Sequence, residues 1–197
     1  MNTILTQTYS KILNDIVQII EAFEKKNSIT KIKSSTMSLT IRNGRKDDFN
    51  YINNALRDIM RICFKMDKPF PNVPGSDEAY DEILRDKEHN EVLIAEIDGK
   101  RVGTALVTYA PIITMGGKTA EIQDLYVDPA ARGKGVGKAL IQKIHDIAKE
   151  KNIKGMYLIQ PSPGTEQDEE RNLFYKRQGF FIGGFARFKV LGEYPVF

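Results

Sequence analysis

The residues best placed to do chemistry lie in the turn Arg132-Gly133-Lys134-Gly135-Val136-Gly137-Lys138. A glycine-rich turn that opens a helix leaves backbone N–H groups without partners, and the missing Cβ atoms let an anion approach them closely. The helix dipole and the side chains of Arg132, Lys134 and Lys138 favour negative charge at the same place. The turn therefore predicts a binding site for a diphosphate.

Three glycine motifs compete for this turn. The dinucleotide motif Gly-x-Gly-x-x-Gly needs a later third glycine than Gly137, and a Walker A loop needs a hydroxyl where Ala139 stands. A flexible lysine- and glycine-rich loop is a third interpretation, but it does not explain the strand before the turn and the helix after it. The remaining pattern, Arg-x-x-Gly-x-Gly, is matched by Arg132, Gly135 and Gly137. It resembles the central motif of the GNAT superfamily of acyl-coenzyme A-dependent N-acyltransferases.

That resemblance implies acetyl-CoA as co-substrate and no metal. It also implies that the backbone of Leu125, Tyr126 and Val127 pairs with the pantetheine arm like an added strand, with an amide near Leu125 or Tyr126 facing the thioester oxygen. The same residues also suit an ordinary core strand, and the two interpretations are compatible because the pairing concerns the backbone.

A tyrosine near the C-terminus is the candidate for the acid that protonates the leaving thiolate. Tyr175, Gly179 and Phe180 match the family's Tyr-x-x-x-Gly-Phe, and a phenol with a pKa near 10 roughly matches an alkyl thiol. The alternative is a tyrosine that only fills the wall of the groove. Upstream the match is weaker, because Asp168 and Asn172 stand where the family often has Asn and Ala, so no coenzyme contact is assigned there.

The general base is sought in the strand that precedes the turn. Strict alternation places Glu121, Gln123, Leu125 and Val127 on one face of this strand and Ile122, Asp124 and Tyr126 on the other. Glu121 matches a catalytic glutamate that some family members use through a water, and its alternative is a solvated or ion-paired strand residue. Asp124 competes with it, either as the base or as an anchor for a cationic amine.

Other reactive residue types have simpler interpretations. Cys63 lies on an apolar helix face and is expected in the core, and His89 and His145 have no zinc-like spacing. The acidic run 168–170 suits a helix N-terminus, with attraction of a cationic substrate as the alternative.

The elements that must position these residues follow one another as strand, two helices, three strands, helix, strand, helix and strand. Their predicted bounds are 39–42, 47–64, 76–88, 92–97, 101–109, 120–127, 139–151, 155–160, 166–178 and 180–190. Ser76 is expected to cap the second helix. The proline-bearing segment 66–75 is expected to be a loop that forms part of the acceptor wall. This order is the one that the GNAT fold uses, which implies an α/β (α+β) domain with a mixed, mostly antiparallel twisted sheet flanked by helices.

Residues 39–197 are predicted to form this domain, and residues 1–38 a separate segment. Residues 3–26 have the spacing of an amphipathic helix, and residues 27–38 are polar and without periodicity, as in a linker. The extra helix is expected to pack on the domain or to pair with its copy in a homodimer.

Composition supports one ordinary globular domain. The 197 residues are 41% hydrophobic and 28% charged, with a net charge of +3 and one cysteine. The charge is too small to favour nucleic acid, no apolar run is long enough for a membrane span, and no signal pattern begins the chain, so a cytoplasmic protein is expected. We expect an N-acetyltransferase that acts on an amine, either small or on a protein. The alternative is a CoA-binding sensor without turnover.

Overall fold

The computed structural model describes residues 37–184, and these contain one five-stranded sheet. The strands are β1 (Leu39–Asn43), β2 (Asn90–Ile97), β3 (Lys100–Ile112), β4 (Gly117–Val127) and β5 (Met156–Leu158). They lie in sequence order, with antiparallel pairing from β1 to β4 and parallel pairing between β4 and β5. The predicted mixed, mostly antiparallel sheet is confirmed.

Four α-helices flank the sheet in this part of the chain: α1 (Phe49–Cys63), α2 (Ser76–Arg85), α3 (Val136–Glu150) and α4 (Asp168–Arg177). Short 3₁₀ turns occupy Lys46–Asp48, Ile113–Met115 and Pro129–Ala131. The predicted cap of α2 is wrong. The Ser76 hydroxyl donates to the Val73 carbonyl oxygen at 2.7 Å, and the capping position is held by Gly75 in the left-handed conformation at φ 83°.

The core has two halves, one on each face of the sheet. On one face Leu140 and Ile144 of α3 pack with Leu93, whereas on the other Ile52 of α1 packs with Ile94. Leu93 and Ile94 are successive residues of β2 that point to opposite faces, as the pleat requires. Both faces are covered, so the site must open at an edge or end of the sheet.

A buried ion cluster ties the first strand to the first helix. The Asp48 carboxylate accepts hydrogen bonds from Arg42 at 2.7 and 2.9 Å, from Arg101 Nε at 2.6 Å and from the Arg45 N–H at 2.8 Å. Burial alone raises the pKa of Asp48, but these hydrogen bonds outweigh it and lower the pKa to about 2. The carboxylate is therefore ionised at neutral pH and fixes β1, β3 and the start of α1 together.

A β-bulge interrupts the pairing of β3 with β4. Leu106 lies opposite Asp124 and Val107 lies opposite Ile122, so Gln123 is an extra residue on β4. Because of it, Ile122 joins Leu125 and Val127 on the α3 side of the sheet. The prediction that Ile122 shares a face with Asp124 and Tyr126 is wrong, since strict alternation takes no account of a bulge.

Several predictions concern the ends of the chain. The N-terminal helix at 3–26 and residues 27–36 of the linker lie outside the described residues. The predicted strand at 180–190 is absent over 180–184, where Gly183 and Gly184 disfavour extended pairing, and its remainder lies outside them.

Candidate active site

The site lies where β4 and β5 separate. The two strands pair only from Ala120 to Ile122 on β4, and the bulge at Gln123 follows at once. From there to Val127 one edge of β4 has no strand partner in the described structure, so its backbone groups are available to a ligand. A cavity of about 550 Å³ fills the opening.

The glycine turn forms one end of this cavity. Gly133 and Gly135 adopt positive φ angles of 75° and 83°, and the first helical hydrogen bond of α3 runs from the Ala139 N–H to the Gly135 carbonyl oxygen at 2.9 Å. Within residues 37–184, five backbone N–H groups of the turn have no acceptor: those of Gly133, Gly135, Val136, Gly137 and Lys138. Unpaired amides at a helix start are the groups that bind anions in proteins, so the turn has the geometry that the predicted anion site requires.

The third glycine serves a different purpose. A Cβ atom added at Gly137 would lie 3.1 Å from the Phe174 ring and 3.7 Å from a methyl group of Val127. Gly137 therefore lets α3 approach α4, whereas Gly133 and Gly135 shape the turn.

The cations of the turn differ in their contacts. Arg132 donates from Nε to the Val127 carbonyl oxygen at 3.1 Å and from Nη1 to Gln167 Oε1 at 2.7 Å, which holds the turn against the segment before α4. Arg132 and Lys138 line the cavity, but Lys134 is exposed and does not.

Tyr175 lines the opposite wall, on α4. Its ring packs edge-on against Phe174 and Phe180, with centroids 5.2 and 5.8 Å away. Burial is the main cause that raises the pKa of Tyr175 to about 12. The charge of Arg171 lowers this pKa slightly, and the charge of Asp124 raises it slightly. The phenol is thus fully protonated at neutral pH but is a weaker acid than its type alone suggests.

Asp124 also lines the cavity, immediately after the bulge. Its carboxylate accepts no hydrogen bond from any described residue, and burial raises its pKa to about 6. Burial also raises the pKa of the Cys63 thiol. The positive charge of Arg171 lowers this pKa by less, and the negative charge of Asp124 raises it further. Asp124 and Arg171 act on both Cys63 and Tyr175, so the four groups lie near one another, although Cys63 itself does not line the cavity.

Glu121 is placed differently. Its Oε2 accepts a hydrogen bond from the Tyr157 hydroxyl at 3.0 Å, and it is not among the residues that line the cavity. The structure therefore brings together all the predicted site residues except Glu121 and Lys134. The other predicted residues at the cavity are Leu125, Tyr126, Val127, Arg132, Gly133, Gly135, Val136, Gly137, Lys138 and Tyr175.

Arg171 is a cavity residue that the sequence did not suggest. It donates to the Glu166 carbonyl oxygen at 2.9 Å and to Thr165 Oγ1 at 2.8 Å, while its Nε is buried without a described partner. Its position one turn before Tyr175 on the same helix face is the signal that was available.

The two residues that depart from the family pattern are engaged with each other. Asp168 accepts from the Gly164 N–H at 2.9 Å and from Asn172 Nδ2 at 2.9 Å, and Asn172 Oδ1 accepts from Gln160 Nε2 at 2.7 Å. They fix the start of α4 beside the end of β5.

Another wall of the cavity comes from α1, through Ile59 and Ile62. No residue of the segment 66–75 lines it in the described structure, although that segment was expected to form part of the acceptor wall. Its Phe70 is instead buried and stacks on Phe64 at 5.9 Å between ring centroids.

Comparison with known proteins decides the family. Residues 54–180 match the model of the acetyltransferase (GNAT) family, which is more than half of the chain. The chain belongs to the GNAT family. The chain is therefore an acetyltransferase, as its glycine turn and sheet indicated.

Two relatives and one solved structure extend the likeness. An uncharacterised N-acetyltransferase from Methanocaldococcus jannaschii is 28% identical over 184 residues, covering 90% of this chain and 76% of the relative. A glucosamine 6-phosphate N-acetyltransferase from Trypanosoma brucei brucei is 35% identical over 83 residues, covering 42% of this chain and 52% of the relative. The crystal structure of a transcriptional regulator from Bacillus halodurans superposes with a TM-score of 0.66 at 26% identity, covering 78% of this chain and all of that one (100%).

Within residues 37–184, every helix is too short or too polar to span a bilayer. In the same range, His, Cys, Asp and Glu side chains form no group of three or more that could hold a metal ion.

Proposed function

We propose that this protein transfers an acetyl group from acetyl-CoA directly to the amine of an acceptor, with no covalent enzyme intermediate. The observation that carries the proposal is one continuous cavity. Free amides of the glycine turn lie at one end, the unpaired edge of β4 runs along it, and Asp124 and Tyr175 lie beyond.

The glycine turn and β4 suit the two parts of the co-substrate. The amides from Gly135 to Lys138, with Arg132 and Lys138, suit the diphosphate. The free edge of β4 from Gln123 to Val127 suits the amide groups of the pantetheine arm, which pair with it as an added strand. This pairing places the thioester, the activated acyl group, beside Asp124 and Tyr175.

Asp124 is the base that the geometry favours. With a pKa of about 6, the Asp124 carboxylate is mostly ionised at neutral pH. No described residue donates a hydrogen bond to it. It can attract the ammonium form of the acceptor and take its proton, directly or through a water. Glu121 remains the choice that family resemblance favours, but it accepts a hydrogen bond from Tyr157 and does not line the cavity.

A backbone amide of β4 and the Tyr175 hydroxyl complete the proposed mechanism. An amide near Leu125 or Tyr126 stabilises the charge that develops on the thioester oxygen. The Tyr175 hydroxyl donates a hydrogen bond to the sulfur as the thiolate departs, and the thiolate then takes its proton from solvent. With a pKa of about 12, complete transfer to a thiol of pKa near 10 is uphill by roughly 3 kcal/mol, so the hydroxyl acts chiefly by hydrogen bonding as the charge forms.

Thiol release tests this function. We expect the protein to release free CoA from acetyl-CoA only when an amine is present, and to yield the acetylated amine in equal amount by mass spectrometry. Calorimetry with CoA provides the comparison. Tight binding without turnover across a broad amine panel would instead identify a CoA-binding sensor.

A further inference from the structure

Gln167, the residue before α4, has an uncommon backbone conformation at the wall of the cavity. Its φ and ψ angles are 57° and 31°, in the left-handed region where few residues other than Gly, Asn and Asp are found. Of the four described non-glycine residues with positive φ, Gln167 is the one that lines the cavity. Backbone strain of this kind concentrates at functional sites, which indicates a use for the glutamine side chain.

The Gln167 side chain contacts the first cation of the glycine turn. Its Oε1 accepts from Arg132 Nη1 at 2.7 Å, while Arg132 Nε donates to the Val127 carbonyl oxygen at 3.1 Å. These two contacts fix the guanidinium group between the end of β4 and the start of α4. The remaining nitrogen, Nη2, has no acceptor in the described structure, and Arg132 lines the cavity. The Nη2 hydrogens are therefore available to a ligand there.

Both acceptors of Arg132 are uncharged, so its positive charge is left without a paired carboxylate. The neighbouring Glu166 has a lowered pKa, chiefly because Arg61 donates hydrogen bonds to it, with a smaller effect from the charge of Arg132. The Glu166 carboxylate is held by Arg61 at 2.8 and 3.0 Å and makes no ion pair with Arg132 in the described structure. Gln167 thus orients Arg132 without adding a negative charge.

We infer that Gln167 is a positioning residue for CoA, which holds Arg132 toward the diphosphate and leaves its charge free to attract that group. The inference rests on the proposed function, which places the diphosphate at the glycine turn. Because the contact with Gln167 already orients Arg132 in the free protein, binding does not have to order this long side chain. A carboxylate in place of the amide would orient Arg132 as well, but it would offset the positive charge and repel the diphosphate.

Two substitutions of Gln167, measured by calorimetry with CoA, separate orientation from charge. Gln167→Gly removes the contact and adopts the left-handed conformation without strain, so we expect Tm to change little and the Kd for CoA to rise about 5-fold. Gln167→Glu keeps a hydrogen bond to Arg132 but adds a negative charge. We expect it to raise the Kd about 10-fold or more, with a loss that shrinks as ionic strength increases.

A double-mutant cycle distinguishes positioning of Arg132 from a general loosening of α4. Gln167→Gly is also made in an Arg132→Ala background, where the partner of the glutamine is absent. There we expect it to change the Kd for CoA by less than about 2-fold, because the two residues act as one unit. A change that only loosened the start of α4 would weaken binding equally in both backgrounds.

Asn152→Gly is the matched control. Asn152 also has a positive φ, of 56°, but it follows α3 outside the cavity, so its replacement is expected to leave the Kd unchanged. An unchanged Kd in Gln167→Gly, an equal effect of that change with and without Arg132, or binding by Gln167→Glu as tight as that by Gln167→Gly would overturn the inference. Amine-dependent release of CoA would then still support the proposed function. Failure of the natural protein to bind CoA at all would remove both.

Discussion

Replacing Asp124 by Asn is expected to make the protein more stable and much less active. The carboxylate lies in the cavity without a described donor, and burial raises its pKa from 3.8 to about 6. Folding therefore favours the protonated form. Ionisation of Asp124 therefore lowers the free energy of unfolding. This loss is absent below about pH 4, grows between about pH 4 and 6, and stays constant above about pH 6.

The size of the effect follows from the pKa difference. About two pKa units correspond to about 3 kcal/mol of destabilisation at pH 7, as an upper value. Asn resembles the protonated acid in shape and polarity, so Asp124→Asn removes that cost and retains the packing. For a chain of this length the gain corresponds to roughly 6–12 °C in Tm.

Thermal and urea unfolding from pH 4 to pH 8 measure this gain. The difference between Asp124→Asn and the natural protein should be small at pH 4, rise to pH 6 and stay level above it. Asp146→Asn, an exposed change on α3 outside the cavity, is the control and should show no such rise. In kinetics the acidic limb of kcat/KM near pH 6 should disappear with Asp124→Asn. A stability difference that does not change with pH would refute the raised pKa of Asp124, and an unchanged rate would refute its role as the base.

Three further predictions concern other parts of the molecule. Tyr175→Phe should lower kcat about 100-fold with the Kd for CoA unchanged, since the hydroxyl acts on the leaving group, and an equal turnover number would exclude that role. Gly137→Val should weaken CoA binding and cost about 1–3 kcal/mol in urea unfolding, because the new side chain meets the Phe174 ring; unaltered affinity and stability would show that α3 and α4 have room to separate. Asp48→Asn should cost about 2–3 kcal/mol at neutral pH, because the pKa of the carboxyl group is lowered from 3.8 to about 2 by Arg42, Arg101 and the Arg45 N–H. This stabilisation of the natural protein should persist at pH 4 and fade as the pH falls toward about 2; a loss of less than about 1 kcal/mol would contradict the ion cluster.

Local sequence patterns predicted the parts of the site that depend on local structure. The glycine turn depends on φ angles and on a helix start, both of which neighbouring residues determine, so Gly133, Gly135 and the free amides followed from the sequence. Tyr175 was indicated by the resemblance of Tyr175, Gly179 and Phe180 to a short family motif at the end of α4.

The features that depend on contacts between distant segments were not predictable in this way. The bulge at Gln123 is set by how β3 pairs with β4, and it reverses the face on which Ile122 lies. The ion pair of Arg61 with Glu166 joins residues 105 positions apart, which no local pattern reveals. Glu121 was therefore the first choice on the sequence, with Asp124 as its competitor, and the cavity lining favours Asp124 instead.

A crystal structure of the protein with CoA tests the central claim most directly. The account predicts the diphosphate within hydrogen-bond distance of the N–H groups from Gly135 to Lys138, with the pantetheine arm along the free edge of β4. Clear density for CoA elsewhere, or a glycine turn left empty at a saturating concentration, would contradict it.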